Sequence, residues 1–159
     1  MARGLRAQLV VAALVVGTTG VGRADGPAPT SAMYVSDIEY CVSQTNQYRA
    51  SIGRPALARS AALESYAAAA APHDGAARGV HQYFRKTGGG GVAFAENQVP
   101  WWPLPRYGSV REVMRHGLAM MWAEGRGGGH YNNIAGPYTE VGCGVFVDGG
   151  RVTVIQAFR

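Results

Sequence analysis

Ile38, Cys41, Val42, Thr45, Tyr48 and Ile52 follow one another at the spacing of a single helix face. Ser36 and Glu39 before them form a capping box, and Gly53 and Pro55 lie beyond, so the pattern predicts a helix from Ser36 to about Ser51. A second helix is expected from near Ser60 through the alanine run Ala67 to Ala71, ending at Pro72, its small side chains allowing close packing. The stretch to Pro100 is irregular. Gly88 to Gly91 read there as a flexible turn before the strand-like Val92-Ala93-Phe94-Ala95-Glu96-Asn97.

Another capping box, Ser109 with Glu112, opens a helix that carries Val110, Val113, Met114, Gly117, Met120 and Met121 on one face. After the loop Gly125 to Gly129 the period changes to two. Thr139, Val141, Cys143, Val145 and Val147 fall to one side of a strand, Asp148-Gly149-Gly150 turns the chain, and Arg151 to Phe158 returns as a hairpin partner. Helices first and paired strands last predict an α+β domain, an antiparallel sheet covered by helices.

The chain has 159 residues, about one domain. With 47% hydrophobic and 16% charged residues it can bury a core, which excludes a disordered tail or a coiled coil. Its 23 glycines follow no G-X-Y period, which excludes collagen. The formal charge of +5 includes Arg3, Arg6 and Arg23, which sit in the first 24 residues with no acid among them, so 5 − 3 = +2 remains for the rest. Without a basic patch, nucleic-acid binding is not expected.

Arg3 and Arg6, the apolar run Ala7 to Val16 and the small residues around Gly22-Arg23-Ala24 define a signal peptide over residues 1–24, cut after Ala24. The run is shorter than the roughly 20 residues of a spanning helix, so no transmembrane anchor is expected. Residues 25–34 read as a flexible leader and 35–159 as the domain. Secretion or delivery to a periplasm gives Cys41 and Cys143 an oxidising surrounding, in which they form the one possible disulfide. Its loop of roughly 100 residues is worth about 4 kcal/mol in the chain-entropy model.

Glu124 falls among Val110, Val113, Gly117 and Met121 on its helix, where an ionised carboxylate must be paired, coordinated or protonated. The glycine run after it can turn His130 back beside it. Glu96 ends an apolar segment, and His81 stands in Gly79-Val80-His81-Gln82-Tyr83-Phe84. Two carboxylates and two imidazoles in one cleft would suit a divalent ion such as zinc. Trp101-Trp102-Pro103-Leu104-Pro105 is either a ligand-facing aromatic wall or a loop plugged against the core. His116 is expected at the surface. No Gly-x-Ser-x-Gly elbow occurs, and the glycine run before Val92 lacks the Lys-Ser/Thr of a phosphate loop.

From Asn46 onward the chain resembles the CAP superfamily of cysteine-rich secretory, antigen 5 and pathogenesis-related-1 proteins, also called SCP-like domains. The resemblance is carried by Asn46-Gln47-Tyr48-Arg49 with Gly53, Pro55 and Leu57, by Ala95-Glu96-Asn97, Trp122-Ala123-Glu124, Gly129-His130-Tyr131, Val141-Gly142-Cys143-Gly144 and Gln156-Ala157-Phe158. The short interval from Glu124 to His130 is similar to bacterial members. Ala95 replaces the family's glycine. The resemblance implies an α-β-α sandwich, a central antiparallel sheet flanked by helices, with a cleft lined by two His and two Glu. Glu96, Glu124 and His130 match by motif, and His81 fits as the first histidine ahead of its rival His73. The implied function is a secreted binding module with a divalent metal, zinc, in its cleft and a lipid-like, cell-envelope or partner-protein ligand. The alternative is a metal-dependent hydrolase of peptide or cell-envelope polymer, with Glu96 or Glu124 as general base. Glycoside hydrolysis by the two carboxylates ranks third.

Overall fold

The computed structural model describes residues 31–159, so the expected signal peptide and residues 25–30 of the leader lie outside the described residues. Strands β1 (Ala58–Arg59), β2 (Ala95–Pro103), β3 (Glu140–Asp148) and β4 (Arg151–Phe158) form one sheet in the order β1-β3-β4-β2. β3 and β4 are the expected hairpin, in register from Val141↔Phe158 to Asp148↔Arg151. Its turn uses Gly149 and Gly150 at φ 53° and 73°, where a side chain would be strained. β2 runs antiparallel along the outer side of β4, and the two-residue β1 pairs parallel with β3. The sheet is therefore mixed, the expected antiparallel set carrying a parallel addition too short to show a period.

The described residues also form six α-helices: α1 (Val35–Ser51), α2 (Ala61–Ala77), α3 (Gln82–Thr87), α4 (Leu104–Tyr107), α5 (Val110–Ala123) and α6 (Gly129–Ala135). α2 covers one face of the sheet, packing Leu63, Tyr66, Ala67, Ala70 and Ala71 on Phe146, Ile155 and Ala157. α1, α5 and α6 cover the other, with Ile38, Cys41, Val42, Val113, Met114 and Ile134 on Val141, Val145 and Val154. The result is an α+β sandwich of helix, sheet and helix. On the α2 face, a Cβ added to Gly142 or Gly144 would run into the helix backbone at Leu63 or Ala67. Alanine in the helix and glycine in the strand thus bring the two backbones into direct contact.

The Cys41–Cys143 disulfide ties α1 to β3 across 102 residues of sequence. Several local expectations are overturned. α1 starts one residue early behind Tyr34, with no side-chain cap. Ser36 and Glu39 do not form a capping box because α1 already begins at Val35, which puts Ser36 inside the helix and not at its N-cap, while Glu39 pairs with Arg59 at 3.1 Å. At α5 only half the box forms: Ser109 Oγ accepts from the Glu112 N–H, while the Glu112 carboxylate goes to Arg115. Ile52 and Met120, expected on buried faces, are exposed. Ser31–Met33 form a 3-10 turn rather than free leader, since Ser31 Oγ bonds both the carbonyl and the N–H of Val145.

Pro72 does not end α2, which runs on to Ala77, because a proline removes a single ladder donor and helix-wide packing outweighs that loss. The helix stops at Arg78, where buried Asp74 turns the chain by accepting from the N–H groups of Gln82 (3.1 Å) and Tyr83 (2.8 Å) at the start of α3. Gly88–Gly91 form a 3-10 turn with all four φ between 59° and 73°. β2 extends beyond Asn97 through Trp101 and Trp102, with a bulge between Val99 and Trp102. As an edge strand it tolerates Pro100 and Pro103.

Arg49 is the largest of the fully buried side chains. It donates to the carbonyls of Pro55 (2.8 Å), Ile134 (2.7 Å), Gly136 (2.8 Å) and Tyr138 (3.4 Å), and burial lowers its pKa from the ordinary value. Removing it would strand several buried carbonyls, each costing on the order of 1–3 kcal/mol. Arg49→Met is expected to lower the free energy of unfolding in urea by about 3 kcal/mol or more, and Arg49→Lys to recover only part of that, because one ammonium cannot reach four carbonyls. A loss for Arg49→Met within experimental error of wild type would show that the carbonyls rehydrate freely.

Candidate functional site

The alternation of β2 sends Glu96 and Gln98 to the α2 face and Asn97 and Val99 to the face covered by α1, α5 and α6. On the first face, His81 Nδ1 donates to Glu96 Oε1 (2.8 Å), and the Tyr66 hydroxyl donates to Glu96 Oε2 (3.2 Å). The Glu96 side chain is 1% exposed and that of His81 28%. Burial and the neighbouring Glu96 charge raise the Tyr66 pKa far above neutral, so its phenol stays a donor. His81 precedes α3 at φ 54°. Its backbone N–H donates to Gln98 Oε1 (2.7 Å), and Gln98 Nε2 donates to the Gly79 carbonyl (3.1 Å), fixing the loop to β2 twice. His73, the rival, pairs with Asp74 instead at 2.9 Å.

The second pair lies between α5 and α6. Glu124 follows the last residue of α5, and both the His130 side chain (Nδ1 to Oε1, 2.5 Å) and the His130 N–H (to Oε2, 3.0 Å) donate to it. A Cβ on Gly128 would collide with Glu124, so the glycine run does permit the close return that the spacing suggested. Glu124 is not buried on the apolar face of α5, however. The helix ends at Ala123, and the carboxylate turns to the surface with 35% of its side chain exposed, where water and His130 solvate it.

Two asparagines join the pairs. Asn133 Nδ2 donates to the Glu96 carbonyl (3.3 Å) and to Asn97 Oδ1 (2.8 Å). Asn97 Nδ2 donates to the His130 carbonyl (3.2 Å) and to Gln156 Oε1 (3.0 Å). Asn97 was visible as part of a motif. Asn133, Gln98 and Tyr66 carried no spacing or composition that marked them.

A cavity of about 520 Å³ opens between β2 and α5. Val99, Trp102, Gly117 and Met121 form its apolar walls, Met120 stands at its rim 60% exposed, and Glu124 and His130 supply its polar groups. A Cβ on Gly117 would strike Val99, so this glycine sets how near α5 comes to the strand. Trp102, stacked on Tyr107 with ring centroids 5.3 Å apart, is the aromatic wall, while Trp101 faces away. His81 and Glu96 do not line this cavity and adjoin it only through Gln98.

The four expected metal donors therefore stand as two pairs, and among the described residues no three of His, Cys, Asp and Glu are grouped to hold an ion. In each pair the carboxylate takes Nδ1, the position from which a carboxylate orients a metal-ligating imidazole, and leaves Nε2. The donor set does not fit a closed centre of four protein ligands. It offers two imidazoles backed by carboxylates.

A helix–sheet–helix sandwich crossed by one disulfide, with histidine–glutamate pairs along its outer strand, defines the structural class. The chain matches the model of the cysteine-rich secretory protein family, CAP, over residues 42–158, and it belongs to that family. No curated protein and no solved structure matches it.

The Glu124 pKa is lowered, chiefly by the hydrogen bond from the His130 side chain. A depressed folded-state pKa means that the pair stabilises the fold above the ordinary carboxylate pKa and that this is lost as pH falls through the folded value. Being half-exposed, it contributes no more than about 1 kcal/mol. Glu96→Ala, which strands the Tyr66 hydroxyl and His81 Nδ1, is expected to cost about 3 kcal/mol in urea unfolding at neutral pH. Glu124→Ala should cost about 1 kcal/mol or less, a difference that disappears in acid. Equal losses for the two variants would contradict this ordering.

Proposed function

We propose that the chain is an exported CAP-domain binding module that takes an apolar, lipid-like ligand in the cavity between β2 and α5. The observation that carries this reading is the cavity itself: apolar walls, with the polar groups Glu124 and His130. Small-molecule sites have this composition, an apolar enclosure and a few polar atoms that set orientation. In the proposed mode the hydrocarbon lies on Val99, Trp102 and Met121, and the ligand's polar end meets His130 and Glu124. Export is supported by the disulfide, which persists in oxidising compartments, and by the expected signal peptide. Among the described residues no helix is long and apolar enough to cross a membrane.

A divalent ion is the second reading, favoured by the two imidazoles whose Nδ1 atoms are already held by carboxylates. Each imidazole would present its own Nε2 to an ion, and a bound divalent ion would supply Lewis-acid chemistry there. Hydrolysis of peptide or cell-envelope polymer depends on the same ion and stands or falls with its binding.

Fluorescence titration with a dansylated fatty acid tests the first reading. Met120→Glu puts a charge at the rim on an exposed side chain, so it should weaken binding about tenfold while leaving the melting temperature near wild type. Unchanged affinity would remove the ligand from this cavity. Zinc titrated by calorimetry tests the second: His81→Ala and His130→Ala are each expected to weaken binding about tenfold, and identical isotherms in all three proteins would discard the ion.

A further inference from the structure

On the sheet face opposite that cavity, a depression of about 390 Å³ lies between the end of α2 and the β3–β4 turn. Arg78, Trp101, Asp148 and Arg151 form its walls, with Phe146 and Thr153 among the other lining groups. Two wall residues hold left-handed backbone: Arg78 at φ 49° and Trp101 at φ 35°. Arg78 takes it as the C-cap of α2, an ordinary helix end, whereas at Trp101 it is a steric outlier, and strain of that kind collects at ligand sites.

The bulge in β2 explains how Trp101 reaches this face. Pro100 and Trp101 fall between the Val99↔Val154 and Trp102↔Val152 pairings, and the Trp101 N–H donates to Thr153 Oγ1 at 3.2 Å. Trp102 stacks on Tyr107, and Trp122 stacks on Tyr48 and Tyr131. Trp101 stacks on no other ring among the described residues, so its indole is left for something else.

The charges are uncommitted in the same way. Arg59, Arg111, Arg115 and Arg159 each hold a carboxylate, whereas neither Arg78 nor Arg151 forms an ion pair among the described residues. Asp148 faces the same depression and pairs with neither. Guanidinium groups grip carboxylates in a two-bonded fork, a flat indole accepts the apolar face of a ring, and a carboxylate accepts from hydroxyl groups. A bare anion would leave Trp101 unused and meet the Asp148 charge. A neutral sugar would leave both arginines unused. The chemistry that uses all four walls is a sugar ring bearing a carboxylate.

The geometry points to a second binding site, for an acidic saccharide, built by Arg78, Trp101, Asp148 and Arg151. The saccharide carboxylate lies between the two arginines, its ring on Trp101 and its hydroxyl groups against Asp148. The site is independent of the lipid-like ligand proposed for the other face.

Calorimetric titration of the purified protein with trigalacturonate, neutral galactotriose and inorganic phosphate tests it. Trigalacturonate is expected to bind, with galactotriose and phosphate each at least about tenfold weaker. Arg151→Gln and Trp101→Ala should each weaken trigalacturonate about tenfold without lowering the melting temperature appreciably. Trp101→Gly, which suits the left-handed backbone, should also lose the saccharide while melting no lower than Trp101→Ala. Phosphate binding as tightly as trigalacturonate would reduce the site to a simple anion site and overturn the proposal. So would equal binding of the neutral sugar, no binding of trigalacturonate, or trigalacturonate binding that survives both Arg151→Gln and Trp101→Ala.

Discussion

A single buried guanidinium holds the candidate site in place. Arg49 leaves α1 and reaches the carbonyls of Ile134 and Gly136 at the C-terminal end of α6, together with those of Pro55 and Tyr138. The last carbonyls of any helix lack partners inside it, and they carry partial negative charge that favours a cation. α6 is only seven residues long and could not persist on its own, since helices of that length are unstable in water. Arg49 at one end, with Asn97 and Asn133 along its side, converts a marginal turn into a fixed support for His130. Arg49 is thus a condition of the site without touching it.

β2 is the second constraint. It is the outer strand, so its free edge must be kept from pairing with other chains, and Pro100, Pro103 and the bulge between Val99 and Trp102 do this by removing donors and breaking register. The same devices have a functional side. The extra residue of the bulge shifts the alternation by one, so that Trp102 rather than Trp101 falls on the side of Val99 in the apolar cavity and Trp101 is left to the polar depression. The difference between the faces comes from the helices. α2 lies on its strands through alanine and glycine with no room between, whereas α5 meets β2 closely only at Gly117, and the larger Met120 and Met121 on either side of the contact leave space.

What could be read from the sequence follows from which forces act locally. The β3–β4 hairpin, α1 and α5 were legible because each repeats a period over many residues, and Cys41 with Cys143 because no other pairing exists. The histidine–glutamate pairing was legible in part: Gly128 makes the Glu124–His130 return possible, and motif order placed His81 and Glu96. Tertiary competition hid the rest. The Ser36–Glu39 box obeys a local rule, but the helix begins a residue earlier and Arg59, distant in sequence, takes the Glu39 carboxylate. Pro72 breaks isolated helices, yet packing on the sheet carries α2 past it. β1 and α3 are too short to show a period, and the hydrogen bonds of Asn133 span 36 and 37 residues, a separation at which spacing has no meaning.

The two histidine–glutamate pairs differ in a way that bears on what the molecule can do. The His81–Glu96 pair is packed, its carboxylate almost wholly buried and engaged by both Tyr66 and His81, so it behaves as part of the interior. The His130–Glu124 pair stands half-exposed at the edge of an apolar cavity, with Glu124 held ionised by the donors around it. A nucleophilic enzyme adds to such a pair a hydroxyl or thiol within reach of the base, as in any triad. Here the His130 ring and backbone N–H both donate to Glu124, and the hydrogen bond at the His130 carbonyl comes from Asn97, an amide that orients and does not attack. A rigid pair behind the strand and an accessible pair beside apolar surface are the two features on which the proposed binding of an amphipathic molecule rests.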